Sequence, residues 1–177
     1  MKNYLKELMN EQKLCCVYLD DRDLNKFAVG YVIGVDDEFF LVEAIDPSGN
    51  GDGVFAAVIE HIVKLEVEDS YVKRIKKLFY HKKQSRYETL SFGGEILEGM
   101  IKHALKYKKI CSFELCDSGR LDIVGYVSEF DEEAEIVKVQ ALDRDGQDDG
   151  VTATEIRNIT EMQFDSSDEL RLEILKL

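Results

Sequence analysis

The stretch CSFELCDSGRLDIVGYVSEFDEEAEIVKVQAL, residues 111–142, holds three short apolar-rich runs separated by polar turns. With Ile110 ahead of it, the first run reads as a strand over 110–115, rich in aliphatic side chains. Ser118-Gly119-Arg120 is a turn. A second strand is expected over 121–130 with Gly125 inside it, where a glycine marks a bend, a bulge or a close backbone approach. Asp131 opens the next turn, and a third strand is expected over 135–142.

The same pattern is written earlier in the chain. Residues 14–78 align with 110–175: Cys15 with Cys111, Leu19 with Leu115, Gly30-Tyr31-Val32 with Gly125-Tyr126-Val127, and Asp36 with Asp131. The loop Ala44 to Val54 (AIDPSGNGDGV) meets Ala141 to Val151 (ALDRDGQDDGV), and Ile59 and Ile62 meet Ile156 and Ile159. The gaps needed fall where turns are expected. A period of about 95 residues is too long for a solenoid and implies a duplicated domain. Two domains are expected, 1–86 and 87–177.

Each copy begins with a helical pattern. Tyr4, Leu5, Leu8 and Met9 recur at helical spacing, as do Ile96, Leu97, Met100, Ile101, Ala104 and Leu105 behind the Gly93-Gly94 break. Strands follow in the first copy over 14–19, 27–35 and 38–45, then a loop over 47–53, then two strands within 54–67 broken near His61. The second copy repeats them, with a loop to Gly150 and two strands within 151–164. Short meandering strands with a bent second strand predict a mainly β fold with helices: two tandem five-stranded barrels, each preceded by an α-helix.

At this point the residues resemble a family. A polar turn, an apolar residue, a glycine in a bent strand, a second apolar residue and an Asp before the next strand form the first motif of the Sm-like, SH3-type barrels. Here they are Ser118-Gly119-Arg120, Ile123, Gly125, Val127 and Asp131, with Val29, Gly30, Val32 and Asp36 as a weaker first copy. The resemblance implies a helix on a five-stranded barrel and assembly through strand edges. It also implies an RNA pocket, and there the chain departs. The expected Asn after the Asp is replaced by Phe39 and Ala134, and the Arg-Gly turn before the last strand by Glu60-His61 and Arg157-Asn158. An RNA site of this kind would draw on Asp36, His61, Asp131, Arg157 and Asn158.

Charge bears on partners. The chain holds 23 Lys and Arg against 36 Asp and Glu, net −13. Residues 91–177 hold 10 against 20, which disfavours a general grip on nucleic acid. One basic island stands out: Lys73, Arg74, Lys76, Lys77, Lys82, Lys83 and Arg86 lie in 70–86 without an acid. Tyr71, Val72, Ile75, Leu78 and Phe79 give it an apolar stripe, so it reads as an amphipathic helical connector with Ser70 as N-cap. Its cationic face suits a phosphate or a partner, with Lys73, Arg74, Lys76 and Lys77 as candidates.

Other chemistries lack support in the sequence. Asp46, Ser48, Asn50 and Gly51, and again Asp143, Asp145 and Gln147, begin like calcium loops, yet Ala57 and Thr154 stand where a bidentate Glu is needed. Cys15, Cys16, Cys111 and Cys116 form no CxxC pair, and adjacent Cys15 and Cys16 on a strand point to opposite faces; they read as core thiols of a reducing compartment. His61, His81 and His103 form no HxH or HExxH motif and sit beside no nucleophile. No signal peptide is expected at 1–13, which holds no continuous apolar stretch of that length, and no apolar run approaches the roughly 20 residues that span a bilayer. The expectation is a cytoplasmic, non-catalytic binding or scaffold module without cofactor or metal. A protein partner or self-association stands ahead of RNA, with no DNA and no membrane; a hydrolytic or small-molecule-binding protein, for which no motif is visible, is the second alternative.

Overall fold

The first strand, β1 (Leu14–Tyr18), is buried at all five positions. Alternation sends its side chains to opposite faces. Cys15 and Val17 enter one apolar cluster with Leu5 and Leu8 of α1 (Lys2–Asn10). Leu14, Cys16 and Tyr18 enter another with Val72, Ile75 and Phe79 of α2 (Ser70–His81). The two adjacent cysteines thus serve two different cores, and the sheet that carries them is covered by a helix on each face. The computed structural model describes residues 1–82, 90, 92 and 94–176, which divide into two compact units, Met1–Ile96 and Leu97–Leu177.

In the first unit β1 is followed by β2 (Ala28–Val35), β3 (Phe39–Ile45), β4 (Gly51–Val58), a single 3-10 turn (Ile59–His61) and β5 (Lys64–Val67). The strands are antiparallel in the order β5-β1-β2-β3-β4. The second half of the chain repeats the plan: α3 (Ile96–Tyr107), β6 (Ile110–Leu115), β7 (Ile123–Asp131), β8 (Ile136–Leu142), β9 (Asp148–Glu155), a 3-10 turn (Ile156–Asn158), β10 (Ile159–Phe164) and α4 (Ser167–Leu175). Its order is β10-β6-β7-β8-β9.

The mainly β reading with helices holds, and the strands pair antiparallel, but the five-stranded barrels are corrected. In neither unit do the two end strands of this order pair with each other, so each is an open five-stranded sheet. Of the outcomes expected at the interior glycines, close backbone approach is present at Gly30 and Gly125. A Cβ built on Gly30 would lie 2.3 Å from the Glu43 carbonyl oxygen, and one on Gly125 only 2.0 Å from that of Gln140. Bulges follow at matching places, between Val32 and Gly34 and between Val127 and Glu129. Strand neighbours crowd together at the glycine and the ladder shifts just beyond it.

The basic segment is more than a connector. Val72, Ile75 and Phe79 are each at most 2 % exposed, and burying a side chain of this size is worth roughly 1.5–3 kcal/mol. α2 therefore belongs to the first unit's core. Its N-cap is Asp69 rather than Ser70, with the Val72 N–H donating to Asp69 Oδ1 at 2.7 Å. The acidic C-terminal stretch is also helical. α4 is capped by Ser166, whose partner in the capping box is Glu169, and its Leu172 packs on Ile110 and Leu142.

Candidate functional site

The residues expected to form an RNA site fall at one end of each sheet. In the first unit the Ile59 N–H donates to the Glu38 carbonyl at 2.8 Å, tying the β2–β3 turn to the 3-10 turn that ends in His61. In the second, the Ile156 N–H donates to the Glu135 carbonyl at 2.8 Å, which does the same for the Asp131 turn and the 3-10 turn holding Arg157 and Asn158. The juxtaposition is real, but the polar groups are engaged. Asp36 Oδ1 accepts from the Glu38 and Phe39 N–H groups at 2.9 and 2.6 Å, and Oδ2 from the Ile96 N–H at 2.7 Å. Asp131 Oδ1 accepts from the Glu133 and Ala134 N–H groups at 3.1 and 3.0 Å. Arg157 is exposed and ion-paired with Glu155. The Asn158 carbonyl accepts from the Cys116 N–H at 2.8 Å. The two aspartates hold their turns in shape, as short acidic side chains do at such positions.

The acidic loops close on themselves in the same way. Asp46 accepts from the Ser48 and Asn50 backbone N–H groups and from Asn50 Nδ2 at 2.7–2.8 Å. Asp143 accepts from Asp145 and Gln147 N–H groups at 2.9 and 2.8 Å. Hydrogen bonds from within the loops engage both oxygens of Asp46 and Oδ1 of Asp143.

The basic candidates separate into two groups. Arg74 stacks over the Tyr71 ring at 4.7 Å, and that ring meets Phe27 edge-on at 5.3 Å. Lys73, Lys76 and Lys77 lie instead with Tyr80 and His81 on the outer face of α2, at i, i+3, i+4, i+7 and i+8. These five line a shallow concavity of about 610 Å³. Tyr80 is 60 % exposed. None of the three lysines forms an ion pair among the described residues. Lys82 donates to Asn50 Oδ1 at 2.7 Å; Lys83 and Arg86 lie outside the described residues.

A feature that the sequence left unmarked is β9. It is exposed or half-exposed at every position, and Val151 is 63 % exposed. Among the described strands it pairs only with β8. Glu135 and Ile156 form a hydrogen-bonded pair, and bonded and unbonded pairs alternate in an antiparallel ladder. Val137 with Thr154 and Val139 with Thr152 therefore exchange bonds, while Val151, Ala153 and Glu155 turn their backbone N–H and C=O groups away from β8. The alternating pattern of 148–155 gives no sign of which strand ends a sheet, because order is a property of the assembled ladder.

One carboxylate is strongly perturbed. Glu161 of β10 stands opposite Glu114 of β6. Burial, then repulsion from Glu114 and Glu169, pushes its carboxyl up to about 7. Burial also drives the Cys15 and Cys16 thiols up to about 12 and the Cys111 thiol well above its ordinary range. Among the described residues no group of three His, Cys, Asp or Glu side chains is arranged to hold a metal ion, and no helix is long and apolar enough to cross a membrane. Comparison with family models, curated proteins and solved structures finds no match for this chain.

Proposed function

We propose that this chain is a non-catalytic binding module, built as two tandem Sm-like β folds, that associates with copies of itself by strand addition at β9. The exposed outer edge of β9 carries the reading. A terminal strand with free backbone groups is a template for another strand. Proteins blunt such edges with short strands, prolines or charge. β5, the end strand of the first unit's order, is blunted so: it has four residues and carries Lys64 and Glu66. β9 has eight residues and no proline, and its acids, Asp148, Asp149 and Glu155, lie towards its two ends around an uncharged run of Val151, Thr152, Ala153 and Thr154.

The test is sedimentation velocity over a range of protein concentrations. The wild-type chain is expected to form an oligomer. Ala153→Pro removes an N–H that points away from β8, so it is expected to give a monomer with an unchanged circular dichroism spectrum. A wild-type monomer at every concentration, or an Ala153→Pro chain that still assembles, overturns the reading. The competing reading is an RNA-binding regulator, supported by the joining of the Asp131 turn to Arg157 and Asn158. It predicts salt-sensitive, micromolar binding of labelled oligo-U or oligo-A that Arg157→Ala weakens, and that result would replace strand addition as the function.

A further inference from the structure

Two copies of a chain with net charge −13 repel each other as they approach. If strand addition at β9 is correct, and the present inference rests on that reading, some surface must offset this repulsion. The excess of acid lies in the second unit, where residues 97–177 hold 10 Lys and Arg against 19 Asp and Glu. Several of these acids are neutralised where they stand. Lys102 pairs with Glu132 at 2.8 Å, Lys109 with Asp165 at 2.8 Å, Lys138 with Glu129 at 2.9 Å, and Lys176 with Asp148 at 3.5 Å.

Glu133 and Glu135 are different. Both are exposed on the β7–β8 turn, and neither forms an ion pair among the described residues. The turn that carries them is joined by the Ile156–Glu135 hydrogen bond to the end of β9, so acid flanks the strand that is proposed to dock. The complementary charge is on α2. Lys73 sits one helical turn before Lys76 and Lys77; all three are exposed and lack an ion pair within the described chain, and the concavity they line is open. The corresponding helix of the second unit offers no such stripe: on α4 Arg171 pairs with Asp168 at 3.6 Å.

We infer that the lysine stripe of α2 receives the 131–135 turn of a second copy, with Lys73, Lys76 and Lys77 facing Glu133 and Glu135 across the contact. The arrangement joins the cationic part of the first unit to the acidic part of another chain's second unit. Between two copies paired through β9 the contact is made twice, once from each chain.

Salt dependence separates this from simple edge pairing. Screening strengthens the association of two like-charged bodies and weakens a contact held by opposite charges. Raising salt from about 50 to about 500 mM is expected to shrink the difference in self-association between the wild type and the lysine-reversed variant about tenfold. The triple variant Lys73→Glu/Lys76→Glu/Lys77→Glu is expected to lose about tenfold or more at low salt. Mixing it with Glu133→Lys/Glu135→Lys should restore association between the two variants, since each carries the charge that the other lacks. All five positions are exposed, and circular dichroism checks each fold.

Wild-type assembly that the triple reversal leaves unchanged at low salt, or weakens as much at high salt as at low, overturns the α2 contact and leaves β9 addition standing. A failure of the mixed variants to pair overturns it as well. A wild-type monomer at all concentrations removes both. Labelled RNA that binds the wild-type chain and not the triple variant, with self-association unaltered by the reversal, assigns the stripe to nucleic acid and likewise overturns the contact.

Discussion

Gly125→Ala is expected to be among the most damaging single-methyl changes in the second unit. The new Cβ would stand 2.0 Å from the Gln140 carbonyl oxygen and 2.8 Å from its carbon, whereas a real Cβ essentially never approaches nearer than 3.0 Å. The strands must part by about 1 Å, and the obstacle is backbone that cannot swing aside like a side chain. Gly125 lies opposite Ala141 and next to the Tyr126–Gln140 pair, so the shift strains the β7–β8 ladder directly. Overpacking of this kind costs roughly 1–3 kcal/mol, and weakening one ladder bond adds about 1. Alanine also has fewer unfolded conformations than glycine, which returns roughly 0.4–1 kcal/mol. The net expectation is a loss of about 2–3 kcal/mol. The assay is urea unfolding of the full chain followed by far-ultraviolet circular dichroism. Gly150→Ala is the control: its φ of +81° is costly for alanine, but nothing lies within 4 Å of the added Cβ. That variant should lose only about 1–2 kcal/mol. A Gly125→Ala chain within about 0.5 kcal/mol of wild type, or no worse than the control, would refute the close-approach argument.

Glu169 is 1 % exposed and accepts from Ser112 Oγ, from Gln163 Nε2 at 3.0 Å and from the Ser166 N–H at 2.9 Å. Glu169→Ala leaves these donors unpaired and removes half of the α4 capping box, so urea unfolding should show a loss of about 2–4 kcal/mol. Glu161 keeps its proton longer in the fold than its ordinary value of 4.5 allows, because its folded value is about 7. The folded state therefore binds more protons than the unfolded state between those values. Stability falls as pH rises from about 4.5 to 7 and levels off above, by up to about 3 kcal/mol, and Glu161→Gln should flatten that slope. Among the four thiols Cys116 alone is exposed. A maleimide should modify it in the native protein and reach Cys15, Cys16 and Cys111 only on unfolding; rapid native labelling of all four would contradict the burial.

The amino-acid sequence by itself determined the local elements and their repetition. Apolar alternation and turn residues marked nearly every strand, because those signals act over a few neighbouring residues. The Gly30 and Gly125 positions were legible for the same reason: only one residue type fits where two backbones meet. The opposed directions of Cys15 and Cys16 followed from the period of a strand. The helix over 70–81 was readable from its apolar stripe, although its cap was placed one residue late, since both Asp69 and Ser70 are good caps. Tertiary structure decided what pairs with what. Whether a sheet closes, and which strand remains at its edge, depends on ladder partners far apart in sequence, so neither the open sheets nor the exposed edge of β9 was visible in the residues that form them. The same holds for charge. The residues around Asp36 and Asp131 gave no sign of which backbone N–H groups the fold brings against them, and Lys73, Lys76 and Lys77 became distinct from Arg74 only when α2 settled onto its sheet and turned the three lysines outward.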